Sequence, residues 1–288
     1  MDKVRQASFG EYKTRDGKHL SYRKWGGEGP VIICIHGIES HSLWFTRVFG
    51  MISSMGFTVY GFDRRGSGLN SEAKGDVKNF GVFLEDIEDG IEFVASQSKG
   101  KKIYLLGICW GGLLIADYLC QKQNHIDGAV FLAPAIYRKV DFNFAVKAVA
   151  RLCHIINPQI RFKIPIKDAM FTKSPAYLEF IGNDSLRLRS LTTRFFDEIL
   201  KLESRFEGKN HRIPVPVLLM LAGKDDIIDN GKVKEWFSRL ETDDKEMRIF
   251  EGFSHVMPFE DEIGQLVDCI TGWIAERKSL VEDTSLKN

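Results

Sequence analysis

A cysteine framed by two glycines is the first feature of this sequence that indicates chemistry. The stretch "GICWGG" covers residues 107–112 and places Cys109 midway between Gly107 and Gly111. When such a frame joins a strand to a helix, the glycines allow the two elements to approach without Cβ clashes. The central side chain then lies at a helix N-terminus, where partial positive charge favours a thiolate. The spacing therefore predicts Cys109 as the nucleophile of an acyl-transfer reaction.

Two later loops offer the acid and the base that a nucleophile needs. "LAGKDDIID" contains Asp225, Asp226 and Asp229 after a predicted strand, and "EGFSHVMPFE" contains His255 after the last predicted strand. In this type of architecture the expected order along the chain is nucleophile, acid and histidine. The sequence has that order, and by itself it leaves all three aspartates open as the acid.

Two backbone amides are expected to form the oxyanion hole. One is the N–H of Trp110, directly after the nucleophile, and the other is the N–H of Ile38, in the turn after "VIICIHG". His36 in the same turn is interpreted as a brace that holds the turn by hydrogen bonds. Asp63, at the start of "DRRGSG", is interpreted as a loop organiser and not as the catalytic acid.

Short aliphatic runs alternate with helix-length amphipathic segments through most of the chain. "VIICIHG", "FTVYGF", "KIYLLGIC", "DGAVFLAPAI", "PVPVLLMLAG" and "EMRIFEG" are the predicted buried strands. This alternation predicts an α/β fold, with a mostly parallel sheet covered by helices on both faces. "HLSYRKWGG" is predicted as an early antiparallel strand, and the last helix is expected over about 259–277 with a frayed tail beyond it.

The alternation stops between residues 137 and 212, a stretch too long for a plain loop. It contains "FNFAVKAVARLCHII", in which Phe142, Val146, Val149, Cys153 and Ile156 recur at helical spacing. We therefore predict a helical cap over 137–212, inserted into a core domain made of 1–136 and 213–288.

Composition excludes several classes of protein. Lys and Arg total 40 against 39 Asp and Glu, so the charge balance gives no support to a nucleic-acid partner. The polar N-terminus lacks the apolar core of a signal peptide, and no apolar run approaches the roughly 18 residues of a transmembrane segment. A cytoplasmic protein is predicted. The five cysteines are irregularly spaced, and the sequence suggests no disulfide, no metal site and no organic cofactor.

The motifs "HGIESHS", "GFDRRGSG", "GICWGG", "LAGKDDIID" and "GFSHVMP" occur in an order that resembles the α/β-hydrolase superfamily. Within it, the chain resembles the monoacylglycerol lipase and lysophospholipase-like branch, which is related to the S33 serine aminopeptidases. The resemblance covers about residues 10–277 and implies an eight-stranded sheet with a cap. It also implies a triad of Cys109, His255 and Asp226, because Asp226 matches the G-x-x-D position after Gly223.

Cysteine stands where that branch usually has serine, and Ile38 stands where it usually has a small residue. A thiol is deprotonated more easily than a hydroxyl, and its covalent intermediate is a thioester. We therefore expect an ester or thioester hydrolase that acts on a small-molecule acyl substrate with an apolar chain. The alternatives are an acyltransferase or thioesterase that uses an acyl carrier, and a ligand-binding homologue without turnover, whether from a degenerate site or from a replaced serine.

Overall fold

The computed structural model describes residues 6–122, 125–140, 147, 152–242 and 244–285. In chain order its strands are β1 Ser8–Lys13, β2 His19–Trp25, β3 Val31–Ile35, β4 Thr58–Phe62, β5 Ile103–Ile108, β6 Gly128–Leu132, β7 Arg161–Lys163, β8 Ser190–Thr192, β9 Val217–Ala222 and β10 Lys245–Phe250. Eight of them form one sheet in the order β1-β2-β4-β3-β5-β6-β9-β10.

The sheet is antiparallel at one edge and parallel elsewhere. β2 pairs antiparallel with both β1 and β4, and every other pair in the sheet is parallel. All residues of β3, β4, β5, β6 and β9 are buried, as expected for strands covered on both faces. The predicted mostly parallel, eight-stranded sheet is confirmed. The first strand, β1, was not predicted, because its half-exposed residues give a weak apolar signal.

Helices cover the sheet and connect its parallel strands. They are α1 Thr46–Ser54, α2 Gly81–Gln97, α3 Trp110–Gln121, α4 Pro175–Asn183, α5 Thr193–Ser204, α6 Asn230–Arg239 and α7 Ile263–Ser285. The prediction of a frayed tail from about residue 277 is wrong, because α7 continues to Ser285. Its last turns contain "ERKSLVED", which is rich in good helix formers.

The segment between β6 and β9 is not wholly helical. β7 and β8 form a separate antiparallel pair, and α4 and α5 lie on either side of β8 along the chain. Residues 152–156 are helical, whereas Phe142, Val146 and Val149 of the predicted helix lie outside the described residues. The division into a core domain and a cap over 137–212 stays a prediction.

The described residues include the seven α-helices α1–α7. No helix among them has both the length and the apolar character needed to cross a membrane. All five cysteines lie within the described residues, and each is a free thiol.

Candidate active site

Cys109 occupies a strained turn between β5 and α3. Its backbone has φ +52° and ψ −120°, a conformation that residues with a Cβ rarely adopt. A Cβ on Gly107 would lie 2.5 Å from the Cα of Gly112, and one on Gly111 would lie 2.1 Å from the carbonyl oxygen of Ile35. Both glycines therefore permit the close approach of strand and helix that the motif predicts.

Substituting Gly111 with alanine is expected to lower the free energy of unfolding by about 3 kcal/mol or more, because the new methyl group would overlap backbone atoms of β3. Denaturant unfolding of the variant measures this. The matched control is Gly272→Ala in α7, where a Cβ meets nothing within 4 Å and alanine should stabilise the helix slightly. Equal stability of the Gly111→Ala variant and the parent chain would contradict the strained turn.

A buried histidine–carboxylate pair lies next to this turn. His255, in the loop after β10, makes a 2.8 Å hydrogen bond through Nδ1 to Oδ2 of Asp225, in the loop after β9. The other oxygen of Asp225 accepts the amides of Ile227 and Ile228, at 2.8 and 2.9 Å. Cys109 lies close enough to His255 to contribute to the raised pKa of its imidazole. Because Nδ1 is engaged by Asp225, Nε2 is the nitrogen available to the thiol.

The expectation that Asp226 orients the histidine is wrong. The side chain of Asp226 is 51% exposed and forms an ion pair of 3.2 Å with Lys173. The turn after β9 instead points the side chain of Asp225 inward, since the amides two and three residues later bind its carboxylate. Adjacent aspartates point in different directions in such a turn, and the spacing from Gly223 does not reveal which one is buried.

His255 and Asp225 each stabilise the charged form of the other. Burial is the strongest influence on His255 and disfavours the imidazolium, but Asp225 and then Cys109 outweigh it and raise the pKa of His255 to about 10. Burial also opposes ionisation of Asp225, yet His255 and the two backbone amides hold the pKa of that carboxyl below its usual value. A protonated His255 beside Cys109 can donate a proton to a leaving group at neutral pH.

The turn that carries Ile38 packs directly against Cys109. A Cβ on Gly37 would lie 3.1 Å from the Cβ of Cys109 and 3.6 Å from its sulfur. Among the described residues, the amides of Ile38 and Trp110 have no hydrogen-bond acceptor. The two amides predicted to bind an oxyanion therefore make no hydrogen bond to a described residue, as the amides of such a hole must.

His36 braces this turn as a neutral imidazole. Its Nε2 accepts the backbone N–H of Arg64 at 3.0 Å, so Nδ1 carries the proton and donates to the carbonyl of Gly37 at 2.8 Å. Burial, followed by the nearby charge of Arg64, holds the pKa of His36 well below its usual value. His36 therefore acts in this turn through hydrogen bonds, as the sequence predicts.

An apolar cavity opens beside Cys109. The space between its lining side chains is about 560 Å³ when the open solvent at its mouth is included. Its lining includes Ile38, Cys109 and Trp110, together with aliphatic side chains from the segment between β6 and β9, such as Leu191 and Ile199. The ring of Trp110 therefore belongs both to the core and to the cavity.

The cavity also contains two charged residues that the sequence did not indicate. Arg138 and Glu203 both line it and form an ion pair of 2.6 Å. They are 65 positions apart, so no local pattern could have associated them. Within the described parts of the chain, no group of three or more His, Cys, Asp or Glu side chains could hold a metal ion.

Known proteins with similar sequences include a phospholipase and a monoglyceride lipase. The chain is 27% identical over 242 residues to phospholipase YtpA of Bacillus subtilis, covering 83% of this chain and 93% of that protein. It is 28% identical over 268 residues to the monoglyceride lipase of Saccharomyces cerevisiae, covering 85% of each.

The fold is also found among solved structures. The crystal structure of a soluble variant of the Saccharomyces cerevisiae monoglyceride lipase, in complex with a substrate analogue, superposes with a TM-score of 0.83 at 21% identity. That superposition covers 96% of this chain and 97% of the other, and it identifies the architecture as the α/β-hydrolase fold. The family model described as serine aminopeptidase, S33, matches residues 28–262. Since this match covers most of the sequence, the chain belongs to the S33 serine aminopeptidase family of α/β-hydrolases.

Proposed function

We propose that this protein hydrolyses an acyl ester through a covalent intermediate on Cys109. The family and the relatives, which are named as monoglyceride lipases and a phospholipase, make the chain a hydrolase of ester bonds. The main support for Cys109 as the nucleophile is its strained turn, which lies next to a histidine bonded to the buried Asp225 and close enough to that histidine to help raise its pKa.

The proposed reaction has two stages. The sulfur of Cys109 attacks the ester carbonyl, and the electron pair of the C=O bond moves to its oxygen, which accepts the amides of Ile38 and Trp110. As the tetrahedral intermediate collapses, the C–O bond breaks and His255 donates its proton to the departing alcohol. A water molecule then transfers a proton to His255 and attacks the thioester, which releases the acid and returns the thiolate. Asp225 keeps the imidazole oriented in both stages.

The cavity supports a substrate with an apolar acyl chain. It opens at Cys109, and most of its lining is aliphatic. Burial of an acyl chain there would contribute about 0.8 kcal/mol per methylene. The segment over 137–212, which supplies much of that lining, would act as the cap. Together these features favour an ester with a medium or long acyl chain.

Acyl transfer is the second candidate, and Cys109 itself favours it. A thioester intermediate is attacked by alcohols, amines and thiols as well as by water, and exchange with a thioester donor is nearly balanced in energy. An acyl carrier could then serve as the donor. The third interpretation, a ligand-binding homologue without turnover, is disfavoured because the cavity is open at Cys109 and His255 faces the thiol.

Intact-protein mass spectrometry after mixing with a panel of acyl esters and acyl thioesters tests the proposal. An adduct of one acyl group is expected in the parent chain and absent from the Cys109→Ala variant. The lifetime of the adduct in water, with and without added alcohol or thiol, separates hydrolysis from transfer. Ready alkylation of Cys109 by iodoacetamide, with no acyl adduct from any donor, would refute covalent catalysis and favour the ligand-binding interpretation.

Ile199 offers a test of the acyl-chain site. It lies in α5, is 5% exposed and lines the cavity. Ile199→Phe should exclude about two methylenes and therefore lower kcat/KM for a dodecanoyl ester roughly tenfold relative to a butanoyl ester. Steady-state kinetics with both esters measure the ratio. The matched control Ile199→Val leaves the cavity open and should keep the ratio within about twofold. Equal losses for both esters in the Phe variant would show that the chain binds elsewhere.

A further inference from the structure

Arg64 holds the turn that carries one of the two oxyanion amides. It follows β4 in "DRRGSG" and is 5% exposed. Its guanidinium donates to three successive carbonyls: Nε to His36 at 3.3 Å, and Nη2 to Gly37 at 2.7 Å and Ile38 at 3.0 Å. One side chain therefore binds three carbonyls in a row, from His36 to Ile38.

The two bonds to the carbonyl of Gly37 determine where the amide of Ile38 points. The carbonyl of Gly37 and the N–H of Ile38 belong to one planar trans peptide unit, so they point in opposite directions. Arg64 and Nδ1 of His36 both hold that carbonyl on one side of the turn, and the N–H is therefore directed to the other side. Gly37 packs against Cys109 from this turn, so the geometry brings the amide next to the thiol.

The same guanidinium also contacts the second half of the hole. Its central carbon lies 4.8 Å from the ring centroid of Trp110 and 5.7 Å from that of Phe83. The rings of Phe83 and Trp110 are arranged edge to face, with their centroids 5.3 Å apart. Arg64 is thus placed between the turn that carries Ile38 and the side chain of the residue that supplies the other amide.

Arg64 is also a buried cation without an ion-pair partner among the described residues. The carboxylate of the preceding Asp63 is engaged by the amides of Ser42 and Leu69 and by Arg23. Burial lowers the pKa of Arg64 to about 9, although Asp63 and Cys109 oppose that change, so the side chain is charged at neutral pH. Burying an isolated charge is unfavourable in free energy because the charge loses its hydration. Hydrogen bonds to the carbonyl oxygens of His36, Gly37 and Ile38 offset that loss for Arg64.

We propose that Arg64 is a positioning residue of the oxyanion hole, aligning the amide of Ile38 through the carbonyl of Gly37 and fixing Trp110 through its ring. The inference rests on the proposed function, since it assumes a reaction that develops an oxyanion. Arg64 itself does not contact the reacting atoms in this account. Its effect is transmitted through the two amides.

Two reactions of Cys109 separate this role from general support of the fold. Acylation by a p-nitrophenyl ester develops an oxyanion, whereas alkylation by iodoacetamide does not. In Arg64→Met, the acylation rate should fall about 10²-fold, which is the usual effect of losing one oxyanion donor. KM for the ester and the alkylation rate should change by less than about threefold. Arg64→Lys should be equally impaired in acylation, because an ammonium group cannot bind three carbonyls and cover a ring at once.

The neighbouring Arg65→Met is the matched control, since Arg65 pairs with Asp16 and Asp86 and makes none of these contacts. It should acylate at the parent rate. Three results would overturn the inference: unchanged acylation in Arg64→Met, full recovery in Arg64→Lys, or equal losses of acylation and alkylation in both variants. Failure of the proposed function is distinguishable, because the parent chain would then be alkylated by iodoacetamide but acylated by no ester.

Discussion

Replacing Cys109 with alanine is expected to lower kcat for ester hydrolysis by at least about 10⁴-fold, because the covalent route is lost and only the amides and the cavity remain to act on the substrate. Alanine should be tolerated in the turn at least as well as cysteine, since both carry a single Cβ. The far-ultraviolet circular dichroism and the unfolding midpoint should therefore change little. Steady-state kinetics with a p-nitrophenyl ester give the fold-change.

Two further variants make this result specific. Cys269→Ser changes a free, partly exposed thiol in α7 and should leave kcat unchanged. Cys109→Ser restores the usual residue of the family and is expected to recover part of the hydrolysis. Its oxygen ester should also accumulate less than the thioester of the parent chain. Retained turnover in the Cys109→Ala variant would show that Cys109 is not the nucleophile.

Asp225→Asn is expected to lower kcat/KM by about 10²–10⁴-fold. The carbonyl oxygen of the new amide can keep the bonds from Ile227 and Ile228, which turns its NH₂ group toward Nδ1 of His255. Nδ1 then becomes the acceptor and the proton moves to Nε2. In that tautomer His255 cannot accept the thiol proton, so the reaction stops at attack.

The matched control for this variant is Asp226→Asn. Asp226 is half-exposed and paired with Lys173, so its loss should change kcat/KM by less than about threefold. If Asp226→Asn were the more damaging of the two, the assignment from the structure would be wrong and the G-x-x-D spacing would be right. The comparison therefore decides directly between sequence spacing and tertiary geometry.

The pairing of His255 with Asp225 should also make the free energy of unfolding depend on pH. The pKa of His255 is raised from 6.5 to about 10 in the folded chain. Its contribution to stability is therefore complete below pH 6.5 and is lost as the pH rises to about 10. Asp225→Asn removes the main cause of the raised pKa, so the parent chain should exceed the variant in stability most near pH 6. Denaturant unfolding at several pH values should show that gap narrowing toward pH 10.

The sequence by itself determined the parts of this protein that depend on local spacing. Two glycines at a separation of four with a cysteine between them predicted the turn at Cys109, since only that spacing lets β5 and α3 approach. Uninterrupted aliphatic runs predicted strands covered on both faces. Because parallel strands bring their carboxyl ends to one edge, the order of loops also predicted that His255 and an aspartate would reach Cys109.

Tertiary structure decided what local spacing could not. Asp225 and Asp226 are chemically identical neighbours, and only the backbone amides that fold around the turn bury one and expose the other. Arg138 and Glu203 are far apart along the chain and meet only because the segment between β6 and β9 brings both of them to the cavity beside Cys109. The role proposed for Arg64 arises only because its guanidinium reaches carbonyls far from it in sequence. In each case the direction and the burial of a side chain are set by atoms distant along the chain.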